Sequence, residues 1–352
     1  MTGLERRVAV SDWLRRNLFS SMTNTLLTVL SVAALIALVR SLLQWSVLAA
    51  HWGGVDHMGC TAGGACWNFV RLRLPLLVYG HYPEAERWRV TLAAALLVTF
   101  AVPVLRRGRH RGQFLAALLL LFPTFAWLLL VGGAPGLPTV DIDAWGGLML
   151  NVIIAFLVTA AALPLGVMLA LGRQSRLPVV RNASAVFIET WRGLPLLGVL
   201  FVSAVMVPLF LPNSVSAGRL LRAVVALSLF YSAYMAEVVR GGLQGVASGQ
   251  EEAGYCLGLR ALQVSWLVTL PQALRQSIPG LVNTVIDLFK DTTLVSIIGL
   301  FDLLGTMSQA LRDPAWPGLA AEGFIFVSLV FFACCFALSL YSRVVEQQLR
   351  RR

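Results

Sequence analysis

Apolar runs of about eighteen residues or more recur along the chain, separated by segments that collect arginine, glycine and proline. A run of that length can cross a bilayer as a helix. The pattern predicts eight spans, at roughly residues 22–45, 90–105, 114–131, 148–171, 186–210, 220–239, 278–300 and 322–341. The second and third are short. The fold class expected is an all-α integral membrane protein with about eight transmembrane helices. The first run follows Arg15 and Arg16, is longer than a signal-peptide core and lacks a small-residue cleavage pattern, so it reads as a retained span.

Composition agrees with a membrane solvent. The chain has 352 residues, 58% hydrophobic and 13% charged. Its formal charge of +11 comes almost wholly from arginine, with Lys290 the sole lysine. In a soluble chain that balance would point to nucleic acid. Here the arginines stand at the ends of apolar runs, where membrane topology and anionic lipid account for them, and nucleic acid is excluded.

Arginine placement predicts the orientation. The cluster RRGRHR (Arg106 to Arg111) and the segment with Arg173, Arg176 and Arg181 should be cytoplasmic, and alternation puts both termini inside. The 132–147 connection carries Asp141 and Asp143 and no basic residue, so it should be external. The loop 46–89 is also external by alternation, although Arg71, Arg73, Arg87 and Arg89 argue against it. Two blocks result. Residues 1–147 hold three spans and that loop; residues 148–345 hold five spans and a cytoplasmic loop at 240–276; residues 346–352 form a basic tail.

The cytoplasmic loop is the least membrane-like part of the later block. GQEEAGYCLGLRALQVSWLVTLPQ (Gly249 to Gln272) is too long for a simple turn. Gln250, Glu251 and Glu252 suit the first turn of a short helix, whose dipole favours negative charge. Leu257, Leu259 and Leu262 give it an apolar side. Gly258 permits a turn between two helices, and Pro271 marks the return to the membrane. The picture is a two-helix bracket with an apolar tip, suited to docking.

This segment resembles the EAA loop of ATP-binding-cassette importer permeases. That pattern reads Glu-Ala-Ala, three residues, Gly, nine residues, Ile, one residue, Leu-Pro. Glu252, Ala253, Gly258, Leu270 and Pro271 match it, while Gly254 replaces the second Ala and Val268 the Ile. Further segments, LGRQSRLPVVRN from Leu171, ETWRGLPLL from Glu189, YSAYMAEVVRGGLQ from Tyr231 and NTVIDLFKDTTL from Asn283, resemble the polar amino acid branch of these permeases. ACWNFVRLRLPLLVYGHYPEAERWRV (Ala65 to Val90) is similar to the longer permeases of general L-amino acid, or of acidic and amide amino acid, uptake systems.

The resemblance implies a five-helix type I importer core preceded by three extra helices, in a bacterial inner membrane. It implies alternating access driven by a separate ATPase dimer seated on the bracket, with Glu252 facing that ATPase. It further implies a second homologous permease and an external amino-acid-binding protein. The chain itself would be no enzyme and would bind no cofactor. ATP and Mg would belong to the ATPase, because a Walker A motif needs a Gly-Lys pair and Lys290 follows Phe289.

Polar residues inside spans need a reason. Asn283, Asp287, Lys290 and Asp291 share one helical face, where Lys290 can neutralise Asp287. They line either a translocation path or gate, or a structural polar seam. Glu189 and Arg192 form a second i, i+3 pair that either supports the gate or snorkels to water. Tyr231 and Ser232 offer donors for a path or for ordinary interhelical bonds. Glu237 and Arg240 read as interfacial.

His51, His57, Cys60, Cys66 and His81 share the external loop, with no zinc-like spacing, so no metal is expected. Cys60 and Cys66 are either a disulfide or two free thiols. Two rival functions remain: an ion-coupled secondary transporter, which leaves the bracket unexplained, and an integral-membrane enzyme, which lacks a convergent set of catalytic groups.

Overall fold

A computed structural model describes residues 12–53, 60, 63–105, 113–114, 117–133, 135–210 and 218–350. The long elements among them are all helices. The first four are α1 (Met22–Leu43), α2 (Trp67–Tyr79), α3 (Arg87–Leu105) and α4 (Phe122–Val131). Next come α5 (Gly147–Arg173), α6 (Pro178–Gly193), α7 (Leu196–Phe201) and α8 (Arg219–Gln244). The last five are α9 (Ser248–Cys256), α10 (Ala261–Val264), α11 (Leu270–Asp291), α12 (Leu303–Ala310) and α13 (Ala320–Arg350). π turns extend α1 (Gln44–Leu48) and α7 (Val202–Met206), and another (Ser265–Thr269) joins α10 to α11.

The expected eight spans are corrected to four among the described residues: Met22–Leu48, Gly147–Arg173, Arg219–Gln244 and Ala320–Gln347. A fifth is possible only if Pro178–Gly193 and Leu196–Phe210 count as one span, and that pair is bent by 98°. The bend falls at Gly193-Leu194-Pro195, where proline removes a backbone donor and disfavours helix at the residue before it. The arrangement of three extra helices before a five-helix core falls with the count. Of the first three predicted spans, only the first is among these four. At the second, α3 starts with Arg87 and Arg89 and contains Pro103. At the third, α4 has 10 residues. The seventh breaks because α11 ends at Asp291 and gives way to a 3-10 segment, Thr292–Ile298. The basic cluster Arg106–Arg111, His57 and the terminal Arg351 and Arg352 lie outside the described residues.

The chain divides into two compact units, Met1–Leu72 with Pro314–Glu322, and Arg73–Asp313 with Gly323–Arg352. In the first, Cys60 and Cys66 are joined as a disulfide with Cα atoms 5.6 Å apart. The Cys66 amide donates to the buried Glu322 carboxylate at 3.2 Å. Trp67 packs between Trp45 and Trp52, with ring centroids 6.2 and 6.1 Å away. No residue of α1 is buried.

The second unit is built around α8, which packs on α5, α6 and α11. Close approach comes from glycines, as in membrane helix pairs generally. A Cβ on Gly166 of α5 would stand 2.9 Å from Met235 Cβ, and one on Gly242 of α8 would stand 2.6 Å from the Ala273 carbonyl oxygen. The start of α3 is tied to the 132–140 loop by Arg89, fully buried, whose Nη1 donates to the Pro138 carbonyl at 2.9 Å and whose Nε lies 2.7 Å from Glu86. Tyr82 donates to the Leu130 carbonyl at 2.8 Å. Burial pushes the Tyr82 hydroxyl above its usual range, with Arg89 opposing, so it remains a donor.

Candidate coupling and translocation site

The segment between α8 and α11 folds as a two-helix bracket. The chain leaves α9 through Gly258, whose φ of +78° is open to glycine and strained for other residues. It re-enters as α10, where the Gln263 side chain accepts from the Arg260 amide at 2.9 Å. Helix then continues through the π turn into α11, so Pro271 does not end the bracket. The π turn ahead of it absorbs the missing proline N–H, a usual setting for such bulges.

Gly254 explains itself here. It is buried, and a Cβ on it would lie 3.0 Å from Val264 Cγ2, so the two short helices touch backbone to side chain at this point. Gln272 donates from Nε2 to Gln250 Oε1 at 3.2 Å, tying α9 to α11. Leu270 is buried at the root of the bracket. Glu251, Glu252 and Ala253 are exposed. Of the expected apolar side, Leu257 and Leu262 stand 82% and 73% exposed at the tip, while Leu259 is half-buried.

The polar residues of α11 divide. Asn283, Asp287 and Lys290 are exposed on one face, with Lys290 Nζ 3.0 Å from Asp287 Oδ1. Asp291 turns inward and accepts from the Tyr231 hydroxyl of α8 at 2.5 Å. Ser232 is fully buried and donates to its own helix, at the Leu229 carbonyl, so it does not join that face.

Glu189 and Arg192 do not pair with each other. Arg173, at the end of α5, reaches Glu189 of α6 at 2.9 Å and Glu237 of α8 at 2.8 Å. Glu237 also binds Arg240 at 2.8 Å and lies 3.7 Å from Arg192. Arg192 stands over the Tyr234 ring at 5.5 Å. Two acids and three arginines thus tie α5, α6 and α8 together at one end of the bundle. Arg173 was not legible as their centre. Its charge at a helix terminus looks like ordinary capping, and nothing local marks the acids 16 and 64 residues away.

A second network went unannounced in the sequence. Asn151, buried in α5, donates to Thr292 Oγ1 at 2.8 Å and to Asp302 Oδ2 at 3.1 Å, and accepts from the Leu303 amide at 2.9 Å. Asp302 caps α12 by accepting from the Gly305 amide at 2.9 Å. Burial lifts the Asp302 carboxyl above the usual carboxylate range, and the donors from Gly305 and Asn151 oppose that. A single Asn in an apolar run was the one available signal.

Residues 162–351 match the family of binding-protein-dependent transport system inner membrane components. The chain belongs to that family. This permease is 48% identical over 337 residues to the inner membrane amino-acid ABC transporter permease protein YhdY of Escherichia coli K12, covering 96% of this chain and 92% of the relative. It is 35% identical over 414 residues to the glutamate/glutamine/aspartate/asparagine transport system permease protein BztC of Rhodobacter capsulatus, covering 98% and 95%. It resembles a crystal structure of an amino acid ABC transporter with histidines at 27% identity and a TM-score of 0.50, over 58% of this chain and 92% of that one. The permease is thus a multi-pass inner-membrane transport component.

Proposed function

We propose that this permease moves polar L-amino acids into the cytoplasm as the transmembrane subunit of an ATP-binding-cassette importer. A separate ATPase dimer supplies the energy through the α9–α10 bracket, and an external binding protein delivers substrate. Residues 148–345 act as the permease core, paired with a second homologous permease, and both termini lie in the cytoplasm. The observation that carries this reading is the bracket tip. Two leucines, 82% and 73% exposed, are held out on a pair of helices locked by the Gly254–Val264 contact. Apolar side chains presented on so rigid a mount suit a partner's groove.

The exposed Asp287–Lys290 pair of α11 offers an acceptor and a donor, the two groups a zwitterionic amino acid requires. Asn283 extends the same face, and Arg192 with Glu189 stands at the ion network. Rigid-body movement of the bracket, which is continuous with α11, would shift this face and alternate its access. Tyr231 and Asp291 brace it from behind.

The test is mass spectrometry of what copurifies with the tagged full chain after mild solubilisation of its native membrane. A nucleotide-binding ATPase and a second permease are expected. Recovery of this chain alone, still carrying amino acid in liposomes without ATP, would overturn the reading in favour of an ion-coupled transporter.

A further inference from the structure

We propose that Arg222 of α8 is a positioning residue for transport, a role that rests on the importer reading above. It holds the arm Leu196–Phe210 against α8 by serving two backbone carbonyls that the arm's own helix leaves unmet. The arm consists of α7, its π turn and a last helical turn, Val207–Phe210. At the end of the π turn the Val207 amide reaches back five residues, to the Val202 carbonyl. The next two carbonyls, of Ser203 and Ala204, are in line for the amide of residue 208. That residue is proline and has no N–H. Arg222 takes its place: Nη1 donates to the Ala204 carbonyl at 2.7 Å and lies 3.5 Å from that of Ser203. An unmet carbonyl is costly where lipid replaces water, and a proline in a membrane helix is tolerated when another group serves the freed backbone.

Beyond Ser203, packing does little to hold the arm. Val207–Phe210 buries no residue, and Leu209 and Phe210 are exposed. A crevice of about 610 Å³ opens between the arm and α8, lined by Gly198, Val202 and Val207 on one side and Leu221 and Val225 on the other. The far end of the arm meets α6 at the 98° bend, where nothing crowds Gly193. Arg222 is thus a clasp facing a hinge. What the clasp holds bears on the path. α7 packs on the 3-10 segment Thr292–Ile298, which follows directly on Asp291, so displacement of the arm is passed to the end of α11. An arginine snorkelling to water would keep its head hydrated. Here Nε is buried without an acceptor among the described residues, and Nη1 makes the contact. A lysine ammonium can replace that one nitrogen.

The test is hydrogen–deuterium exchange of the intact complex in lipid nanodiscs, beside uptake by the same complex in liposomes. Arg222→Met keeps an apolar side chain against the crevice and removes the donor. It should speed exchange across residues 199–210 and slow uptake, each about tenfold, because the lost bond is charge-assisted. Arg222→Lys keeps a donor and should stay within roughly threefold of wild type in both. Pro208→Ala returns the missing N–H, so Pro208→Ala combined with Arg222→Met should regain protection and uptake together. General destabilisation by Arg222→Met would not be repaired by one amide on another helix. Unchanged exchange in Arg222→Met would overturn the proposal, as would faster exchange with uptake at the wild-type rate. A double variant no better than Arg222→Met would overturn it too, since Pro208 would not then be the source of the unmet carbonyls. Exchange is read without ATP or substrate, so it decides the clasp separately; wild-type complex without ATP-driven uptake would count against the importer reading.

Discussion

The Tyr231 hydroxyl donates to Asp291 Oδ2 at 2.5 Å, joining the middle of α8 to the last residue of α11. It turns one carboxylate inward while Asp287 and Lys290, on the same helix, face out. α11 is also continuous with the bracket. The bond therefore couples the helix that would carry the ATPase's movement to the one at the centre of the bundle.

Tyr231→Phe keeps the ring and removes this donor, and a hydrogen bond to a charged group contributes about 1.5–3 kcal/mol. The expected result is amino acid uptake by the reconstituted complex reduced about tenfold, with copurification of its partners unchanged. Uptake within twofold of wild type would show that the bond takes no part in the movement.

At the bracket, Gly258→Ala forces a side chain into a left-handed backbone, at a cost of about 1–2 kcal/mol. Gly254→Val adds bulk where even a Cβ would meet Val264 at 3.0 Å. Both should separate α9 from α10 and uncouple ATP hydrolysis from uptake, read as ATPase activity that no longer rises with substrate. Gly258→Asn, better tolerated at such φ values, should retain more coupling than Gly258→Ala.

The ion network is unequal. Glu189 is 67% exposed and Glu237 is 17% exposed in their side chains. Screening leaves the outer pair little energy, so Glu189→Gln should leave thermal stability unchanged. Glu237→Gln leaves Arg173, Arg192 and Arg240 without their shared carboxylate and should lower stability measurably. A double-mutant cycle between Arg173 and Glu237 should return roughly 1 kcal/mol, shrinking with added salt.

Asn151→Leu removes one of the donors that favour ionised Asp302. Its carboxyl, already raised by burial from 3.8, should rise further. A carboxyl raised in the folded state contributes stability below its ordinary value and loses it as pH climbs through the folded value. The variant should therefore lose more stability than wild type as pH increases from about 4. Thermal melts across that range check the sign, and parallel curves would count against it.

Much of the bracket was legible because its signals are local. Gly258 stands where the chain must turn left-handed, and Leu257 and Leu262 flank it as an apolar tip. The same locality misled the span count. Hydropathy at 278–300 averages over residues without showing that α11 is two-faced. Glu189 and Arg192 have the spacing of a helical pair, yet Arg173 and Glu237 supply better partners from other helices.

By itself, then, the sequence determined the membrane environment, the all-helical class, the family and the two-helix bracket, since each depends on composition or on residues close in the chain. Tertiary structure decided how many helices are long and apolar enough to span, why Gly254 is glycine, and which of several polar residues meet. Those outcomes depend on contacts across long separations, such as Asn151 with Asp302 and Tyr231 with Asp291. A buried polar group in a membrane protein takes whichever partner packing brings within reach, and local sequence does not specify that partner.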